Sequence, residues 1–181
     1  MKILSLNVRG LGGKTKNFSL RALFQSLGPD MILLQETMCS SSPALLAFSK
    51  LLPSWELCAI SASSLSGGIL TALNPQRVKC CAFETCVGLL VQASFRGMSS
   101  SVAILNVYGP YIDRELFWEK ALRGGILNIP NLVLEGDLNL TLNSLEIWGK
   151  KASPNPLTQH FLSLFDSVGL VDLAPQCTGP T

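Results

Sequence analysis

Short apolar runs of strand length alternate along the chain with stretches whose apolar residues recur at helical spacing, and this alternation predicts an α/β architecture. Lys2–Val8 reads as a first strand, followed by the Gly-rich loop Gly10-Leu11-Gly12-Gly13. Between Asn17 and Leu27, the residues Phe18, Leu20, Ala22, Leu23, Phe24 and Leu27 supply a helical apolar face that Gly28-Pro29 brings to a stop. Asp30–Gln35 is the expected second strand, short and almost wholly apolar, as a strand covered on both faces should be. Ser42–Leu52 reads as a second helix, opened by Pro43 and closed before Pro53.

From Trp55 to Tyr108 the pattern changes. Trp55–Ile60, Gly68–Leu73, Arg77–Phe83, Val87–Phe95 and Ser101–Val107 are strand-like runs broken by Ser/Gly, Asn-Pro and Arg-Gly punctuation, which predicts antiparallel strands joined by hairpins. Helical spacing returns at Asp113–Leu122, and Asn131–Leu134 follows as another buried strand. A last helix is expected over Leu157–Val168, with Leu157, Phe161, Leu164, Phe165 and Val168 on one face and Pro154 and Pro156 at its entry.

Composition narrows the class. The chain has 181 residues, 48% hydrophobic and only 14% charged, which excludes disorder as its main state. The length fits one domain spanning 1–181. A net charge of +2 neither supports nor excludes nucleic acid as a partner. No apolar run approaches the ~18 residues of a membrane span, and Met1–Asn7 breaks too early for a secretory signal, so a soluble intracellular protein without a membrane partner is expected. The cysteines, 39, 58, 80, 81, 86 and 177, form no Cys-x-x-Cys pair and have one histidine for company, so a zinc site is not expected and buried reduced thiols are.

Candidate chemistry collects where apolar runs end. Ile3–Leu6 runs into Asn7, Met31–Leu34 into Gln35 and Glu36, Ala103–Leu105 into Asn106 and Tyr108, and Leu132–Leu134 into Glu135, Asp137 and Asn139. Strand termini of layered α/β folds line a crevice where distant segments converge, so these clusters are candidates for one shared site. Two carboxylates beside amides and a phenol suit a hard cation such as Mg²⁺, which takes few protein ligands plus water and phosphate oxygens, and the matching chemistry is metal-assisted phosphodiester hydrolysis. The competing reading is that wet loops follow strands and that Asp, Asn and Gly are ordinary turn formers.

The motifs themselves are more specific. Ser5-Leu6-Asn7-Val8-Arg9-Gly10-Leu11, Leu34-Gln35-Glu36-Thr37, Asn106-Val107-Tyr108-Gly109-Pro110 and Gly136-Asp137-Leu138-Asn139 resemble, in this order, successive motifs of the endonuclease/exonuclease/phosphatase superfamily. Ser66-Gly67-Gly68-Ile69 and Leu116-Phe117-Trp118 add a likeness to the apurinic-type endonuclease domain of LINE-type, non-LTR retrotransposons, especially those of plants. The resemblance implies a two-sheet α-β-β-α sandwich and a nuclease requiring Mg²⁺, with Mn²⁺ as the alternative metal. It implies Glu36 as the principal metal ligand, Asn7 in the metal or phosphate environment and Tyr108 at the scissile phosphate. Asp137 would position or deprotonate the attacking water, and Asn139 would orient phosphate and nucleophile. DNA as partner and a nuclear location follow from the same likeness.

The sequence also departs from that pattern. No Ser-Asp-His motif follows, and the one histidine, His160, falls at the border of the last helix's apolar face, where a boundary residue is expected in place of a catalyst. The chain reads as a C-terminally truncated domain, its second half incomplete and its catalysis impaired, and Arg9 stands where some superfamily members carry a metal-binding acid. The alternatives are an inactive nucleic-acid-binding or interaction remnant, and a phosphatase acting on a non-DNA phosphate ester. Lys14, Lys16, Arg21, Lys150 and Lys151 are read as solvated surface in preference to phosphate contacts, and Trp118 and Trp148 as packing residues.

Overall fold

A strand that is apolar at every position needs a hydrophobic partner on each face, because successive side chains point to opposite sides. Met31–Gln35 meets this requirement with all five residues buried. The structure, a computed structural model, describes residues 1–62, 67–142 and 155–173. The chain divides into two compact units, Met1–Leu138 and Asn139–Thr181. The first holds β1 (Ile3–Asn7), α1 (Lys14–Leu27), β2 (Met31–Gln35), α2 (Ser41–Leu51), β3 (Glu56–Ile60), β4 (Ile69–Leu73), β5 (Val78–Glu84), β6 (Gly88–Phe95), β7 (Val102–Tyr108), α3 (Arg114–Arg123) and β8 (Leu132–Asp137). The second holds α4 (Thr158–Ser167).

The strands form two mixed four-stranded sheets, ordered β1-β2-β4-β3 and β5-β6-β7-β8. Pairing is parallel for β1 with β2 and for β7 with β8, and antiparallel elsewhere. Alternation on β2 separates two cores. Ile32 and Leu34 join Leu70, Ala72, Leu20, Phe24 and Phe48 in a cluster between the first sheet and α1 and α2. Met31 and Leu33 join Leu73, Val78, Val91, Ala93, Phe95 and Ile104 between the sheets. This is an α/β sandwich, as the motifs led one to expect.

Two expectations change. The strands between Trp55 and Tyr108 are not one meander: β3 and β4 stay in the first sheet, and β5 to β7 belong to the second. The crossing is made at Asn74, whose carbonyl accepts from Arg77 and Val78 while its amide donates to Asp30, a tight turn that redirects the chain. The last strand also runs three residues past Leu134, because Gly136 lacks a Cβ that would collide with the Val107 carbonyl and so pairs closely with β7. Asp137 is therefore a strand residue.

The thiols also differ from expectation. Cys39, Cys58 and Cys80 are half-buried, and Cys81 and Cys86 are exposed; Cys177 lies outside the described residues. The reason is that β5 ends its sheet, so alternation turns Cys80 inward beside Ala82 and leaves Cys81 facing out. Burial first, and then a hydrogen bond donated to Glu56 at 3.4 Å, push the Cys80 thiol up to about 12.

Between the sheets lies one polar network. Gln35 Nε2 donates to Asn106 Oδ1 at 2.7 Å and to Ser5 Oγ at 3.2 Å. Asn106 Nδ2 donates to Thr71 Oγ1 at 3.1 Å and to the Leu70 carbonyl at 3.3 Å. Gln35, Thr71 and Asn106 are all but inaccessible, so each bond lost leaves an amide unsatisfied in an apolar layer.

Two predictions follow from this packing. Asn106→Leu should cost about 1–3 kcal/mol in urea unfolding, and Gln35→Leu with Asn106→Leu should cost less than the sum of the single changes. Additive losses would mean that the amides do not act together. For Cys80, an unfolded thiol ionises near 9.0 and the folded one near about 12, so stability present below pH 9 should decline as pH rises through that interval. A Cys80→Ala chain that loses stability just as steeply there would refute the assignment.

Candidate active site

Parallel pairing sends β1 and β2 in one direction and β7 and β8 in one direction, so each pair delivers its carboxyl ends together. Asn7 ends β1, Tyr108 ends β7 and Asp137 ends β8. Alternation puts Asn7 on the face of Ile3, and Asp137 on that of Val133, both of which pack against the inter-sheet core. Across the sheets Asn7 Nδ2 donates to Asp137 Oδ2 at 2.6 Å, and Tyr108 Oη donates to Glu36 Oε1 at 2.6 Å. Tyr108 and Asp137 are register partners, as are Asn7 and Gln35, so the two hydrogen-bonded pairs close a ring over four strand ends.

Glu36 reaches the ring by a break in strand geometry. Continued alternation would turn it toward α1 and α2 with Ile32 and Leu34. Its left-handed backbone, φ 52°, turns it away from that course. Such a conformation in glutamate costs about 1–3 kcal/mol and persists only where surroundings hold it. Here the Glu36 carbonyl accepts from the Gly10 amide at 2.6 Å, and the amides of Thr37 and Met38 donate to Gly68 and Gly67. A Cβ at Gly68 would collide with Thr37 Oγ1, and one at Gly67 would sit 3.7 Å from the Tyr108 ring. The adjoining Ser66 of the Ser-Gly-Gly turn lies outside the described residues.

Asn7 is fixed at both ends of its amide. Its Oδ1 accepts from the Arg9 backbone amide at 3.1 Å, which commits Nδ2 to Asp137. Lys16 Nζ donates to the carbonyls of Val8, Arg9 and Gly10 and so clamps this loop. Lys16 is thus half-buried and bonded to backbone, not the solvated surface residue expected of it, and the signal for this in the sequence is the Gly-rich loop just before a lysine-bearing helix. Arg21 likewise donates to the Lys50 carbonyl. Trp118 is fully buried, as a packing residue should be. Lys150, Lys151 and Trp148 lie outside the described residues, as does the side chain of Lys14.

The ring carries an electrostatic deficit. Glu36 is 8% exposed, yet among the described residues the ion pairs join Asp30 to Met1 and Arg77, and Glu119 to Arg123. None reaches Glu36. A buried carboxylate left with a single phenol donor is a group that a cation would stabilise. No cluster of three or more His, Cys, Asp or Glu suited to a metal occurs among the described residues, so the donors available are Glu36, Asp137 and the neighbouring amide. Of the five sequence candidates, the structure brings Asn7, Glu36, Tyr108 and Asp137 together. Asn139, with φ 50°, begins the second unit, and His160 lies on α4 within it.

No protein-family model matches the chain, and no curated protein matches it in sequence. Solved structures do. A 3'-5' exonuclease from Neisseria meningitidis superposes with a TM-score of 0.67 at 19% identity, covering 95% of this chain and 73% of that one. The AP endonuclease from Leishmania major gives 0.68 at 17%, covering 92% and 66%. The endonuclease domain of TRAS1, a telomere-specific non-LTR retrotransposon, gives 0.66 at 13%, covering 93% and 72%. The chain thus spans roughly two thirds to three quarters of these proteins, and at such identities the likeness is one of fold. With its paired sheets and strand-end ring, the chain has the fold of the AP endonuclease/exonuclease/phosphatase proteins.

Proposed function

We propose that the chain is a Mg²⁺-dependent phosphodiester hydrolase acting on DNA. The observation that carries this reading is the buried Glu36 carboxylate, held by Tyr108 beside the Asn7–Asp137 pair and without a basic partner among the described residues. Glu36, with Asp137 close by in the ring, is a donor set of the sparse, all-oxygen kind that Mg²⁺ accepts, completed by water and phosphate oxygens. Bound there, the cation would neutralise charge on the phosphate and lower the barrier to attack.

The chain's own residues have separate tasks. Tyr108 commits its hydroxyl hydrogen to Glu36 and so orients that carboxylate. Asn7 presents an N–H to Asp137 Oδ2 and so orients the carboxylate that takes a proton from an attacking water. Attack by water would form a new P–O bond as the bond to the leaving oxygen breaks, the water's proton passing to Asp137 and the leaving oxygen taking a proton from solvent, without a covalent enzyme intermediate. The exonuclease and AP endonuclease likenesses support DNA over a small ester, and the TRAS1 likeness supports a retrotransposon-type endonuclease and, with it, a nuclear setting. Asn139, which would orient the phosphate and the nucleophile, and His160 both belong to the second unit.

Nicking of supercoiled plasmid by the 181-residue chain tests the proposal. Activity should require Mg²⁺, vanish in EDTA and fall by about 10²-fold or more in Asp137→Asn, with circular dichroism verifying that the variant is folded. Glu36→Gln should raise the Mg²⁺ concentration needed for half-maximal rate by about tenfold or more. A folded chain whose nicking matches that of Asp137→Asn is not a hydrolase.

A further inference from the structure

Past the ring, the chain places two large apolar side chains in water. Tyr111 is 68% exposed and Ile112 is 78% exposed, directly after Tyr108-Gly109-Pro110. Both ends of this loop are fastened. Gly109 donates its amide to the Asp137 carbonyl at 2.7 Å, and a Cβ on it would collide with the Leu138 carbonyl, so the loop begins hard against the end of β8. Pro110 restricts the next step. At the far end Asp113, with φ 54°, accepts from the Phe117 amide at 3.0 Å, and α3 is anchored by the fully buried Trp118. Tyr111 and Ile112 are thus an exposed apolar pair on a loop tied down at both ends.

We propose that Tyr111, with Ile112 beside it, is the surface on which this chain stacks a nucleobase next to the phosphate it cuts. Tyr111 lies three positions along the chain from Tyr108, at most ~11 Å when extended, which keeps its ring within reach of a nucleotide adjoining a phosphate at the ring. A tyrosine offers a flat, rigid face, and a nucleobase is the flat apolar group that accompanies a phosphodiester. A cation also stands near the ring in sequence: Arg9, two residues beyond Asn7, is exposed and forms no ion pair among the described residues. A cation and an aromatic, each a few residues from a ring member, match a strand that alternates charge and stacking faces. A substrate without bases would leave Tyr111 idle.

This inference deepens the hydrolase reading and rests on it for the position of the phosphate. Binding in the Asp137→Asn background tests it without turnover, by fluorescence anisotropy of labelled oligothymidylate and of a strand of equal length built from base-free tetrahydrofuran units. Tyr111→Ala should weaken oligothymidylate binding by about tenfold or more, and Tyr111→Phe by no more than about twofold, because stacking uses the ring face and not the hydroxyl. Ile112→Ala should give a smaller loss. The base-free strand should bind with the same affinity whether residue 111 is tyrosine or alanine. Equal weakening on both strands, no weakening on either, or no binding of oligothymidylate at all would overturn the proposal. Base-dependent binding by a chain that nicks no plasmid would remove the hydrolase reading alone, and nicking by a chain whose binding ignores Tyr111 would remove the stacking surface alone.

Discussion

Two apolar sheets laid face to face can slide, since dispersion and burial are nearly indifferent to small translations, whereas an amide–amide hydrogen bond is not. The bond from Gln35 to Asn106, 2.7 Å long and sealed from water, joins β2 to β7 in the layer directly beneath the ring. Any slippage would strand two buried amides in an apolar interior, at a cost well above that of a surface bond. Ser5, Thr71 and the Leu70 carbonyl occupy the remaining valences and extend the tie to β1 and β4. Everything that the ring does depends on this alignment, because Glu36 follows Gln35 by one residue and Tyr108 follows Asn106 by two. A shift of one residue would turn Tyr108 out of the space between the sheets.

The same layer accounts for why a carboxylate is tolerated at so closed a position. Glu36 keeps a left-handed backbone and a buried carboxyl group, two unfavourable features in one residue. Both are sustained by the backbone bonds to Gly10, Gly67 and Gly68, and the carboxyl group is met by the Tyr108 hydroxyl. The strain is thus concentrated at the one ring member that leaves strand geometry, while Asp137, braced by Asn7, keeps its place as the last residue of β8.

Much of this could be read from the chain before any coordinates. Strand-length apolar runs located nearly every element to within a residue or two, and the polar residues that close those runs named four ring members. Alternation carried the reading that far, because it is a local property. What stayed hidden was non-local. Nothing in the spacing of Trp55–Tyr108 reveals that the chain changes sheets at Asn74, since a hairpin and a crossing use the same turn residues. The Cys81 and Cys86 thiols looked apolar and proved exposed, for Cys81 sits on the outward face of β5 and Cys86 in the turn between β5 and β6. Gln35 and Asn106 were visible as polar interruptions, but their meeting depends on the facing of two sheets separated by 71 positions in sequence.

The ring also explains how two end strands can hold chemistry. Among the described residues β1 and β8 each end a sheet, and every residue of both is only partly buried. Backbone pairing on a single side leaves such strands closer to local opening than the fully buried β2 between its neighbours. Asn7 and Asp137 are their last residues, and the bond between them joins one end strand to the other across the sheets. Lys16 clamps the loop beyond Asn7, and the Gly109 amide clamps Asp137 from the neighbouring strand. Asn7 and Asp137 are therefore kept in position by contacts beyond their own strands, while Glu36 and Tyr108 derive their rigidity from the amide layer below.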